Sequence, residues 1–564
     1  MENRFDLWKK NWPKGAAAHS VYPYGRIPIA DCLKKNAEKD PKRVGINYYG
    51  KEITFKEWDE ASDRIATALA DMGYKKGDAV LLYMQNSPQS AIAYIAAARL
   101  GLIIFTADPS FKGYELEYVV TDSGAKLIFA FDQNYSNVKP LLEKEMVKDV
   151  IVSSFWDYLP QKPALPLPDV MKLPKQTFTE TFDFINLIQK YPPNPPKVAI
   201  DMDEEELVLY TGGTTGFPKG CVHNHENTLK SGAHAYQVRE LGYDLTPCDS
   251  VLIFGPMGHI GALSYGLFPS CVHGRTMVIL ARYEPLTALQ AIANCKIELF
   301  VGTVIVHKAL LELPELKKYD LSSIKMWQTG EWMIWLTQDL ARQWESAAGR
   351  PLVKWGYGMS EVANVAVCGG RLGYEIPFSD AFLMGTVPPE EGIDVKIADF
   401  DTHEVLPTGK QGEIVLKSPA RCKYYWRKPK ETAAALSPEG WFYTGDMGML
   451  DGEGYLYWYG RKKYIIRVSG FQVSPGEIEM IGLRNPDIAK IAVMGIPDEK
   501  KGEIPKAFVQ LADGSKATAD DLVAWFKKNI SSYKVPRVEI INEMPLTAKG
   551  SIDMKKLEEK GTKK

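Results

Sequence analysis

The chain has 564 residues, 45% hydrophobic and 24% charged, enough to bury several cores and ordinary for a folded globular protein. Lys plus Arg number 68 against 70 Asp plus Glu, and this near balance argues against nucleic acid or an anionic membrane as a bulk partner. Seven cysteines with no C-x-x-C pair read as free thiols in a reducing compartment. The N-terminal "MENRFDLWKKNWPKG" has no apolar centre and is unlike a secretory signal, so a cytoplasmic protein is expected.

Along the chain, short β-prone runs alternate with amphipathic ones. "VGINYYG", from Val44, predicts a strand. In "TFKEWDEASDRIATALADMG", Phe55, Trp58, Ala61, Ile65, Leu69 and Met72 recur at helical steps, with Thr54 placed to cap the helix and Gly73 to end it. "DAVLLYM" predicts the next strand, "SPQSAIAYIAAARLG" the next helix, and "AKLIFAFD" and "DVIVSS" two further strands. Such alternation predicts an α/β fold of parallel or mixed sheets flanked by helices. "LPQKPALPLPDVMKLP" and "KYPPNPPKV" read as Pro-rich surface connections. "VLIFGPMGHIGALSYGLFPSCVHG", from Val251, is charge-poor but broken by Gly and Pro, which predicts a buried helix flanked by strands rather than a membrane span. At Gly460 an aromatic strand gives way to "RKK", and the remaining stretch has its own β and α patterns. The expected division is 1–461 for a large N-terminal domain and 462–564 for a small mobile α+β domain, with a hinge at Lys462–Lys463.

Three stretches carry chemistry. "YTGGTTGFPKG", Tyr210 to Gly220, leaves the strand-like "EELVLY" and precedes a helical run. Its Gly212, Gly213 and Gly216 let backbone amides approach an anion; Thr211, Thr214 and Thr215 add hydroxyls and Lys219 a charge. A lone Gly-rich turn is as readily a solvated turn, and this one departs from the usual nucleotide loop because Pro218 separates Gly216 from Lys219. "KWGYGMSEVAN" groups Tyr357, Ser360 and Glu361; a Tyr can stack on a base and a Glu can hold Mg²⁺ through oxygen. "YTGDMG" places Asp446 in a tight turn, ahead of Arg461, where a carboxylate can accept from two ribose hydroxyls.

Taken in order with "GRKKYIIRVSGFQVSPGEIE" and "PLTAKGSI", these stretches resemble the adenylate-forming superfamily of acyl-CoA synthetases, luciferases and peptide-synthetase adenylation domains, over about residues 40–558. The resemblance implies a two-step reaction. A carboxylate attacks the α-phosphate of ATP to give an acyl-adenylate and pyrophosphate, and a thiol, usually that of CoA, then displaces AMP. It implies ATP, Mg²⁺ and CoA as cofactors, and a small carboxylic acid as substrate. The phosphate loop, with Thr211, Thr214, Thr215 and Lys219, would cradle the departing phosphates. Tyr357 would stack on adenine; Ser360 stands where Thr is usual; Glu361 would be the Mg²⁺ ligand. Gly330, Glu331 and Trp332 match the adenine-side loop, and Asp446 with Arg461 the ribose clamp. Lys463 stands at the hinge position, and Ser469, Gly470 and Phe471 beside the pantetheine tunnel. His259 would border the acyl carboxylate, although a His beside Gly can also be a satisfied core residue. Gly261, Tyr265, Trp355 and Gly358 would line the acyl pocket. Acetate-specific relatives carry Trp where this chain has Gly358, so the resemblance implies an acid larger than propionate: medium-chain, branched, alicyclic or aromatic. "HNH" at 223–225 has no acid or Cys partner at zinc spacing, and His225 is expected to support the loop.

Alternatives stay open: an adenylation enzyme that loads a carrier protein, a luciferase-type oxidase, or a nucleotide-binding homologue without catalysis. One departure bears on the last. Most of the family reads Pro-x-Thr-x-x-Gly-Lys near the C-terminus, and that Lys serves adenylation. Here Pro545, Thr547 and Gly550 match but Ser551 fills the Lys position, with Lys549 two residues earlier. Lys549 is the expected substitute.

Overall fold

The computed structural model describes Trp8 and residues 19–211, 218–240, 247–330, 336–354, 356–366, 383–388, 390–464, 466–468, 471–498, 501–530, 532–546 and 552–561. Among these, two seven-stranded sheets form the larger part. One runs in the order Leu352–Lys354, Met326–Gly330, Leu299–Thr303, Ser250–Ile253, Thr276–Ile279, Val44–Tyr48 and Lys51–Thr54. The other runs Phe182–Asp183, Asp149–Ser153, Leu127–Phe131, Ala79–Tyr83, Ile103–Thr106, Glu205–Tyr210 and Gly220–Asn224. In each sheet neighbouring strands are parallel except at one edge, where a hairpin closes it. Crossover helices supply the cover that parallel strands need on both faces. The sequence-predicted strands and helices of this part are all present.

The first long helix shows why. Phe55–Asp71 buries Phe55, Trp58, Ile65 and Leu69 on one stripe, and Thr54 and Glu57 satisfy the first free amides as a capping box. It packs against Pro88–Arg99, which is buried almost all round and therefore lies inside the domain. The charge-poor stretch resolves into the strand Ser250–Ile253, a short turn Ile260–Ala262, a π-turn Leu263–Leu267 and the helix Phe268–His273, all largely buried, with the strand Thr276–Ile279 following. That agrees with a buried helix between strands; the π-turn has no signature in the sequence. Among the described residues no helix is long and apolar enough to cross a membrane. The Pro-rich connection 159–174 is less superficial than expected: Leu165 and Met171 are buried, and the Ala164 amide donates to the Tyr49 carbonyl.

A third, antiparallel sheet orders Leu383–Gly385, Leu456–Arg461, Phe442–Leu450, Gly412–Lys417 and Asp394–Ala398. After it a single 3₁₀ turn, Lys462–Tyr464, leads into the C-terminal sheet, built from Phe471–Val473, Ile466–Val468, Gly502–Leu511 and Ile488–Asp498, with Arg537–Ile540 parallel to Gly502–Leu511. The helices Pro475–Gly482 and Ala519–Asn529 belong to this C-terminal part.

One side chain in that part makes stability pH-dependent. The Glu479 carboxylate accepts the Val493 amide at 2.8 Å, yet burial raises its pKa to about 7 from the ordinary 4.5. The stabilisation that goes with the protonated form is therefore complete below about pH 4.5 and is lost as pH rises through 7. Glu479→Gln keeps an acceptor for Val493 and removes the charge. It is expected to melt higher than the parent at pH 8, on the order of a few degrees, and to differ little near pH 5. Equal melting shifts at both pH values in a thermal scan would show that Glu479 is not the titrating group.

Candidate active site

The phosphate-loop stretch hangs between the strand Glu205–Tyr210 and its antiparallel return Gly220–Asn224. Its neck is closed: the Thr211 amide donates to the Lys219 carbonyl at 2.9 Å and the Lys219 amide to Thr211 Oγ1 at 3.2 Å. Gly212, Gly213, Thr214, Thr215 and Gly216 lie outside the described residues. Both legs of the neck are clamped by one helix, Tyr114–Ser123: the Tyr118 hydroxyl donates to the Pro218 carbonyl, and the Tyr210 hydroxyl donates to Asp122, each at 2.9 Å. Tyr118 and Asp122 stand one helical turn apart, so a single face holds both legs. Gly220 is required for close approach, since a Cβ there would meet Val208 Cγ1 at 2.6 Å and Trp426 Cβ at 3.3 Å.

The return strand carries a second segment on its far side. The Val222 amide donates to the Tyr424 carbonyl, the Lys423 amide to Val222 and the Trp426 amide to Gly220, so Tyr425 lies opposite Cys221. Tyr425 thereby enters the site. The Lys219 ammonium stands 4.3 Å from the centre of its ring, and its hydroxyl donates to Glu361 Oε1 at 3.0 Å. The sequence reading missed Tyr425 altogether; the one signal for it was the dense aromatic run "KYYWR".

Glu361 sits in the 3₁₀ turn Ser360–Val362, whose backbone is fixed from both sides. Cys422 donates its amide to the Glu361 carbonyl at 2.7 Å, and His223 Nε2 donates to the Ser360 carbonyl at 2.7 Å. Burial pushes His223 down to about 4, which keeps it neutral. The turn ends in two consecutive non-glycine residues with left-handed backbone, Ala363 and Asn364, with φ of 46° and 61°. Ser231 Oγ donates to the Ala363 carbonyl at 2.7 Å and Asn364 Nδ2 to Ser264 Oγ at 2.9 Å, so surrounding bonds hold a conformation that costs energy on its own.

Beside it lies a second cluster. Tyr357 is buried and its hydroxyl donates to Asp446 Oδ2 at 2.5 Å; Arg461 Nε stands 2.8 Å from Asp446 Oδ1. Asp446 and Arg461 are direct cross-strand partners, which explains why residues so far apart in sequence form a pair. Burial raises the Asp446 pKa, and the Arg461 charge works against that rise. Gly330 ends the strand Met326–Gly330, while Glu331, Trp332 and Trp355 lie outside the described residues.

His259 caps the turn before the π-turn, its Nδ1 accepting the Gly261 amide at 3.1 Å. The Nε2 of the neutral ring therefore carries the proton. Gly261 and Tyr265 follow at a helical step; Tyr265 is buried and its hydroxyl takes the Gly255 amide. Gly358 faces Asn364 rather than a bulky side chain. His223 and His225 turn to different partners, His225 Nδ1 standing 3.2 Å from Glu206 Oε2 on the strand that enters the phosphate loop. Among the described residues no cluster of three or more His, Cys, Asp or Glu is placed to hold a metal. Glu361 by itself suits a hard cation that keeps its waters: one carboxylate oxygen is held by Tyr425, and the other has no partner among the described residues. Lys463 falls in the 3₁₀ turn Lys462–Tyr464, and Phe471 opens the strand Phe471–Val473. Ser469, Gly470, Lys549 and Ser551 lie outside the described residues.

Residues 33–426 match the AMP-binding enzyme family, and residues 477–551 match the AMP-binding enzyme C-terminal domain. A long-chain-fatty-acid–CoA ligase of Bacillus subtilis is 34% identical over 553 residues, covering 96% of both chains. A 4-coumarate–CoA ligase of Humulus lupulus is 30% identical, covering 94% of this chain and 93% of its own. Among solved structures, ATP-bound MatB from Rhodopseudomonas palustris shares the fold with a TM-score of 0.81 at 22% identity, covering 95% of this chain and 99% of its own.

Proposed function

The chain belongs to the AMP-binding enzyme family as an AMP-forming acid–CoA ligase using ATP and CoA, and from that premise we propose that its acid is larger than propionate and that the two clusters around Glu361 and Asp446 are its adenylation site. The observation that carries the reading is their contiguity: Lys219, Tyr425 and Glu361 form one chain of contacts at the neck of the phosphate loop, and Glu361 and Tyr425 lie close enough to act on the charge of Arg461, the partner of Asp446.

In this reading the acid's carboxylate attacks the α-phosphate of ATP, pyrophosphate leaves, and the CoA thiol then displaces AMP from the acyl-adenylate. The chemistry asks for positioning and charge neutralisation more than for covalent help. Lys219 and the loop hold the departing phosphates. Asp446, fixed by Tyr357 and Arg461, takes the ribose hydroxyls, and Tyr357 lies against adenine. Glu361 would hold Mg²⁺, which neutralises phosphate charge when bound. His259, with its proton on Nε2, offers a donor to the acyl carboxylate. Domain division at 461/462 belongs to the same proposal: two half-reactions need different faces of the C-terminal part, and the turn at Lys462–Tyr464 joins it to the rest. Lys463→Pro fixes φ at that joint. It is expected to leave one half-reaction running and stop the other, and equal loss of both in pyrophosphate exchange and thioester assays would count against the hinge.

Acid size follows from Gly358. The relatives named above act on a long-chain fatty acid and on 4-coumarate, both well above propionate. A Cβ at Gly358 would already meet Asn364 Oδ1 at 2.9 Å and Asn364 Cα at 3.4 Å. Gly358→Trp must therefore displace Asn364 from Ser264 and fill the space beyond. It is expected to lower thioester formation from large acids at least ~10-fold while sparing ATP binding. The test is AMP and thioester release across acids of graded size, for the parent and the variant. Turnover of acetate alone by the parent would overturn the size argument, and ADP with orthophosphate as products would overturn the mechanism.

A further inference from the structure

Lys219 and Glu361 are both charged, and both touch one aromatic residue, Tyr425. An ammonium and a carboxylate that share a neighbour can pair, and such a pair would neutralise the charges that nucleotide and metal are meant to meet. Tyr425 engages both. Its ring face takes the ammonium at 4.3 Å and its hydroxyl takes Glu361 Oε1 at 3.0 Å, so each charge is held by a neutral group. Among the described residues Lys219 has no carboxylate partner within ion-pair distance.

The ring is held rigidly. Its residue is 2% exposed. Its own amide donates to Thr432 Oγ1 at 3.0 Å, its carbonyl accepts the Lys428 amide at 3.0 Å, and it bridges to Cys221 on the strand that leaves the phosphate loop. The hydroxyl engages one oxygen of Glu361, Oε1.

We propose that Tyr425 is a positioning residue, a neutral spacer that holds the phosphate-loop cation and the metal-ligand carboxylate side by side and keeps them from pairing. The inference rests on the reading of Glu361 as the Mg²⁺ ligand and Lys219 as the phosphate contact. It predicts two separable losses. Without the hydroxyl, Glu361 loses its orientation, and only metal-dependent binding suffers. Without the ring, Lys219 also loses its seat and falls onto Glu361, and metal-free nucleotide binding suffers too.

The experiment is calorimetric ATP binding by the full chain, with no acid present so that nothing turns over, once in Mg²⁺ and once in EDTA. Tyr425→Phe is expected to weaken binding in Mg²⁺ about 10- to 100-fold and leave binding in EDTA unchanged. Tyr425→Leu is expected to weaken both. Tyr425→Phe combined with Glu361→Gln is expected to lose no more than Glu361→Gln alone, because the two act through one group. The proposal is overturned if Tyr425→Phe matches the parent in both conditions, if it loses equally in both, or if its loss adds fully to that of Glu361→Gln. A parent that does not bind ATP at all would instead overturn the functional reading itself.

Discussion

Glu361→Gln is expected to slow adenylation by about 10²-fold while leaving the fold of the site in place. Gln is the same size, and its amide oxygen can still accept the Tyr425 hydroxyl that now reaches Glu361 Oε1. The backbone bonds that fix the turn, from Cys422 and from His223, do not involve the side chain. What leaves is one negative charge at the carboxylate proposed to hold Mg²⁺. The rate loss should therefore be partly recovered by raising Mg²⁺, and the apparent Mg²⁺ requirement should rise with it. Lys219→Ala should cost less, because the loop's amides and hydroxyls remain as donors. Acid-dependent pyrophosphate exchange reads the adenylation half-reaction alone. If Glu361→Gln leaves that exchange intact, Glu361 is not the metal ligand.

Local patterns in the sequence announced most of the fold and part of the site. The capped helix after Thr54 follows from spacing and a capping pair that act within four residues. The glycines, threonines and lysine of the phosphate loop are contiguous, and so are Tyr357, Ser360 and Glu361. What local patterns cannot carry is contact between distant segments. Tyr425 is 64 residues from Glu361, and its role depends on the register with which its segment lies along Gly220–Asn224. That strand was itself missed, because "GCVHN" is buried on both faces and shows no alternation. Ala363 and Asn364 adopt left-handed backbone without a glycine to signal it, since the hydrogen bonds that hold them come from Ser231 and Ser264. The Asp446–Arg461 pair was legible only through family resemblance, and the antiparallel register between their strands is its physical cause.

The largest effect is expected from Lys549→Ala, about 10² to 10³ in the rate of adenylation. The family places a lysine where this chain has Ser551, and a serine hydroxyl cannot steady a charged transition state as an ammonium does. The stretch in question is tied down at both ends: Leu546 and Ile552 face each other across an antiparallel bridge, and the Asp553 amide donates to the Pro545 carbonyl at 2.8 Å. Just before it, the buried Met544 is fixed by its amide to Gln510 on the strand Gly502–Leu511. Lys549 lies in the sequence between these fixed residues, next to Gly550 and two positions before Ser551, which is why it is the substitute to test first. A catalytic residue speeds a step in both directions, so the exchange of Lys for Ser does not set the direction of the overall reaction. Under the proposed rotation at Lys462–Tyr464, Lys549→Ala is expected to leave thioester formation from preformed acyl-adenylate untouched. Ser551→Lys placed on top of Lys549→Ala restores a cation at the family position and is expected to recover much of the adenylation rate. Measuring the two half-reactions separately decides the matter. If Lys549→Ala is neutral in adenylation, Lys549 is a solvated surface charge; if Ser551→Lys fails to rescue a slow Lys549→Ala, the cation's place lies elsewhere on the segment.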